Sequence, residues 1–74
     1  MKLKDIRESK GLSQRQLADI SGVNVQMIQH YEQGVRDINK AQAGTLYKLA
    51  QALGCSMEDL IELRDVSKSV RTKF

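Results

Sequence analysis

Seventy-four residues, 41% hydrophobic and 28% charged, with no proline, make one small domain with a thin core. The single cysteine excludes an internal disulfide and a cysteine-based zinc site. No apolar run nears the ~18 residues of a membrane span, and the start, MKLKDIRESK, has no apolar signal stretch, so a cytoplasmic chain is expected. The net charge of +3 is uneven: residues 1–63 hold eight Lys/Arg against eight Asp/Glu, and residues 64–74 hold four basic groups against Asp65. A polyanionic partner would therefore meet local charge on the body and bulk attraction from the tail.

Aromatics are scarce, so the core must be aliphatic and is expected to be compact helix packing. Leu3 and Ile6 open a helical stripe that stops at Gly11, just after Lys10. Ser13-Gln14-Arg15-Gln16 reads as a capping box, and Leu17, Ala18 and Ile20 face inward from the second helix, which ends at Gly22. Asn24 caps a third helix that closes at Gly34. Asn39, with Asp37 as a rival, caps a fourth whose stripe is Ala43, Leu46, Leu49, Ala50 and Leu53, ended by Gly54. Gly44 inside it costs about 1 kcal/mol of helix propensity, and a close neighbouring backbone would explain it. Ser56-Met57-Glu58-Asp59 starts a fifth helix, with Cys55 and Leu60 as a hydrophobic staple. The last stretch, DVSKSVRTKF, reads as a frayed basic tail or, less favoured, a short strand that needs a partner chain.

The second and third helices carry the functional signal. Two helices joined by a short turn containing glycine have the geometry of a helix-turn-helix. Ala18 is small where the third helix must cross, and Gly22 supplies the positive φ of the turn. Leu17, Val23, Ile28 and Tyr31 fill the wedge. At about 100° per residue, Ile28 and Tyr31 define the buried side of the third helix. Gln26, Gln29, His30 and Gln33 project from the other side, without a Lys or Arg among them. A solvated face would normally mix Lys and Glu. An amide-rich face inside this wedge is suited to base edges.

The stretch LSQRQLADISGVNVQMIQHYEQG resembles the Cro and phage-repressor type of helix-turn-helix domain, the XRE family. LKDIRESKG and TLYKLAQALGCSMEDLIE resemble that family's first helix and its last two. The resemblance covers residues 1 to about 63 and implies an all-α, lambda-repressor-like five-helix bundle. It also implies a homodimer that binds a palindromic operator in double-stranded DNA and regulates transcription, with the third helix in the major groove.

The implied DNA-binding set is Gln14, Asn24, Val25, Gln26, Gln29, His30, Gln33, Arg36 and Lys40. Within it, Val25, Gln26, Gln29 and His30 hold the recognition positions, where a glutamine amide pairs with adenine and Val25 meets a thymine methyl. Gln14 touches the DNA backbone and buttresses the recognition helix. Gln33, Arg36, Lys40 and the start of the fourth helix meet phosphates. Arg7 and Glu32 match a first-helix arginine and a late recognition-helix glutamate that pair in similar proteins. The segment between Gly34 and Leu46 is longer than in many members, which leaves its DNA contacts outside this carry-over.

His30 has no neighbours for a metal site, and no catalytic triad or phosphate-cradling glycine loop is present. Cys55 is a small apolar staple rather than a nucleophile. No enzyme, cofactor or metal is expected. Residues 1–63 form the expected DNA-binding domain and 64–74 a basic C-terminal tail, with Leu63, Val66 and Val70 as the dimer contact. The main reading is a homodimeric repressor. The alternative is an antitoxin whose tail holds a partner protein while the body holds DNA.

Overall fold

The computed structural model describes residues 2–62, which fold as four α-helices and two 3-10 turns, with no strand among them. The helices are α1 (Lys2–Ser9), α2 (Gln14–Ser21), α3 (Val25–Gln33) and α4 (Ala43–Leu53). Local chemistry sets the first three boundaries. At α2, Ser13 Oγ accepts from the Gln16 amide at 3.0 Å while Gln16 Oε1 accepts from the Ser13 amide at 2.8 Å. Both donors would otherwise be orphaned. Asn24 Oδ1 accepts from the Gln26 amide at 2.7 Å and starts α3. Gly22 and Gly34 end α2 and α3 at φ 77° and 81°, a left-handed conformation that strains a side chain with a Cβ.

The core is aliphatic. Leu3, Leu17, Ile28, Ile38, Leu49, Leu53 and Leu60 are fully buried, joined by Val23, Tyr31, Leu46 and Ala50. Each large aliphatic side chain removed from water contributes about 1.5–3 kcal/mol. α2 packs against both α3 and α4, so it joins the third helix to the longest helix of the domain.

Several expectations need correction. Only a 3-10 turn, Glu58–Leu60, stands among the described residues where a fifth helix was expected. Its start does form the reciprocal pair: Ser56 N donates to Asp59 Oδ2 at 3.0 Å and Asp59 N to Ser56 Oγ at 3.2 Å. The chain then leaves helical geometry at Ile61, φ −84° and ψ 137°. Lys2 Nζ donates to the Ile61 carbonyl at 3.1 Å, and the Asn39 side chain bonds the Glu62 backbone in both directions at 2.8 Å. Asn39 therefore does not cap α4. Asp37 caps a 3-10 turn, Ile38–Lys40, by accepting from the Asn39 amide at 2.9 Å.

α4 begins later, at Ala43, behind Gln42, whose side chain makes no capping bond. Ala43 is exposed, since it starts the helix a turn ahead of Leu46, the first residue α4 buries. Ile20 is 60% exposed: α2 buries Leu17 and half-covers Ala18, and its last turn runs straight into the glycine turn. No backbone crowds Gly44, where an added Cβ would meet open space. Cys55 is half-buried and Leu60 fully buried in one apolar cluster, now around the 3-10 turn. The boundary at residue 63, the tail and the dimer contact at Leu63, Val66 and Val70 lie outside the described residues.

Candidate nucleic-acid interface

The outer side of α3 follows from what its inner side must bury. Ile28 and Tyr31 are sealed in the wedge. Gln26 and Gln33 are exposed, while Val25, Gln29 and His30 are half-buried. The five share the side of a nine-residue helix that no other element covers completely. Asn24, exposed, spends its side-chain oxygen on the helix start.

The angle of α3 is held by one carboxylate. Glu32, in its last turn, receives three donors: Arg7 Nε at 2.7 Å, an Arg7 terminal nitrogen at 3.0 Å and Gln14 Nε2 at 2.9 Å. A second Arg7 terminal nitrogen donates to the Leu12 carbonyl at 2.7 Å. One guanidinium thus ties α1, the α1–α2 loop and α3, and the Gln14 amide brings in the start of α2. The Arg7 and Glu32 side chains are only 9% and 3% exposed. Hydrogen bonding to Glu32 raises the Arg7 pKa above its ordinary value, against the opposing effect of burial. A buried, fully bonded pair of this kind fixes orientation more than it adds stability. The carboxylate also dictates that Gln14 turn its NH₂ inward, which leaves the amide oxygen without a partner among the described residues.

A second group of donors lies beyond α3. Arg36 and Lys40 are exposed, and no carboxylate pairs with them among the described residues, where Arg7 makes the ion pairs, with Glu32 and Glu8. They border a recess of about 390 Å³ with Tyr31, Gln42 and Thr45 at the start of α4. Because Gln42 supplies no side-chain cap, the first amides of α4 keep their positive end open. On the other flank, Arg15 lines an open groove with Asn24 and Val25, beside the first turn of α3.

Three residues at this surface were not singled out by the sequence: Arg15, Tyr31 as a polar group, and Thr45. Arg15 stands next to Gln14 inside the capping box, and that adjacency was a usable signal. Tyr31 falls on the buried stripe, where periodicity reads only its bulk. Among the described residues, no group of three His, Cys, Asp or Glu side chains gathers to hold a metal. Burial, then the charge of Asp59, push the Cys55 thiol above its ordinary pKa, the opposite of an activated nucleophile.

Residues 3–60 match a family model described as helix-turn-helix. The chain belongs to that helix-turn-helix family. It is a DNA-binding transcription regulator of the XRE (Cro) type. No curated protein and no solved structure matches the chain. No helix among the described residues of this helix-turn-helix protein is long and apolar enough to cross a membrane.

Proposed function

We propose that this helix-turn-helix protein is a cytoplasmic homodimeric repressor that reads a palindromic operator through α3. Two copies of α3 would enter major grooves at half-sites about one helical turn apart. The observation that carries the reading is the outer side of α3, a set of amides, one imidazole and one valine without Lys or Arg, on a helix clamped from behind at Glu32. Gln26 and Gln29 have the donor–acceptor pair that matches adenine, and Val25 suits a thymine methyl. His30 donates to a guanine acceptor or a phosphate. Asn24 orients the helix start, and Gln14 keeps its amide oxygen free for the DNA backbone while it braces Glu32.

Affinity falls to the flanks, because α3 carries no Lys or Arg. Gln33, Arg36 and Lys40 meet phosphates on one side and Arg15 on the other, so salt weakens binding without erasing sequence preference. The assignment of Leu63, Val66 and Val70 to the dimer contact rests on their apolar spacing in the sequence.

The deciding experiment is selection of bound sequences from a random duplex pool at near-physiological salt. Enrichment of an inverted repeat is the expected result. Weak binding without enrichment, lost as salt rises, overturns the reading. The second reading, an antitoxin, draws on the four basic groups gathered in residues 64–74. Deleting those residues separates the two. Loss of dimerisation or of general DNA affinity fits the repressor, and loss of a captured partner with operator binding intact fits the antitoxin.

A further inference from the structure

Tyr31 is 3% exposed, so its ring belongs to the core. Its hydroxyl has no hydrogen-bond partner among the described residues, yet no polar side-chain atom there is both sealed from solvent and unpartnered. The hydroxyl therefore keeps some exposure, and Tyr31 lines a recess beside the start of α4. Arg36 and Lys40 border the same recess, and no acidic side chain does. Thr45 adds a second hydroxyl from the first turn of α4. The amides of that turn have no side-chain cap, and Gly44 leaves open space where a Cβ would stand.

From this convergence we infer that the Tyr31 hydroxyl donates a hydrogen bond to a DNA-backbone phosphate that the reading above gives to Arg36 and Lys40, seated in this recess. The inference rests on the DNA-binding reading above. Two cations, two hydroxyls and a helix start form a set made almost wholly of donors. An oxyanion with several acceptor oxygens satisfies such a set, and neutral ligands do not. The duplex is the source the geometry favours, because the recess opens beside the helix whose outer side carries the base-reading amides.

The test is Tyr31→Phe in the full chain, which removes one oxygen and keeps the buried ring. Affinity is measured on the selected operator and on a non-cognate duplex across a salt series, with thermal unfolding to confirm an intact fold. The expected result is a roughly tenfold loss on both duplexes, with base preference and salt slope unchanged because no charge is removed. Equal affinity of variant and wild type overturns the inference while leaving the DNA reading intact. A wild-type protein that shows no operator preference overturns the reading beneath it. Inorganic phosphate distinguishes the source. If it shifts the Gly44 and Thr45 amide resonances in wild type alone, while Tyr31→Phe binds DNA normally, the seat takes free phosphate and the DNA assignment fails.

Discussion

The clamp around Glu32 and the recess at the start of α4 treat their polar groups in opposite ways. In the first region they are used internally: Glu32 takes three donors, Arg7 spends a further one on Leu12, and α2 and α3 both have side-chain caps. In the second, Arg36 and Lys40 have no carboxylate among the described residues, α4 has no side-chain cap, and the hydroxyl of Tyr31, which lines the recess, is unpaired. Satisfied groups hold α3 at one angle. Open groups are what a backbone of phosphates needs. Under the proposed function, the domain keeps the two tasks at different places on its surface.

The largest test of that contrast is Glu32→Ala. It strands a buried arginine and an inward amide together, and should cost about 3–5 kcal/mol by denaturant unfolding. A loss under about 1 kcal/mol would mean that the clamp does not hold the first region. Next is Gln26→Ala, expected to weaken operator binding by about 1–3 kcal/mol and to relax preference at one base pair, with stability unchanged. Unaltered affinity and preference on a selected operator would remove Gln26 from the reading set.

Gly44→Ala sharpens the second region. The added methyl meets no neighbour and restores helix propensity, so the domain should gain up to about 1 kcal/mol in thermal unfolding. DNA affinity should fall, because the methyl stands among the open amides. A stabilised variant that binds DNA as well as wild type would show that those amides are not used.

The smallest effect belongs to Asp59. Hydrogen bonds from the Ser56 backbone, then its side chain, lower its carboxyl below the ordinary value of 3.8. With the folded value below the unfolded one, its stabilisation is complete above the unfolded value and is lost as pH falls through the folded one. Asp59→Asn and wild type should therefore differ slightly in melting temperature at neutral pH and converge as pH falls below the ordinary carboxyl value.

What was legible in the sequence is what is local. The Ser13–Gln16 box, the Asn24 cap and the glycine stops depend on residues within four positions, and each was readable. The outer side of α3 follows from a fixed period and needs no tertiary knowledge. Asn39 was misread because its amide is committed to Glu62, twenty-three positions away, which no local rule anticipates. The same bond, with Lys2 on the Ile61 carbonyl, holds the chain extended where a fifth helix would have continued. Tyr31 hid its hydroxyl for another reason: burial patterns count side chains as wholes, and this one is buried except at its tip.

The paired bonds between Asn39 and Glu62 also make a lever. Asn39 adjoins Lys40 at the rim of the recess, so a pull on the chain past residue 62 reaches that rim through a single side chain. Whatever grips the chain past residue 62 has a short mechanical route to the edge proposed to face phosphate.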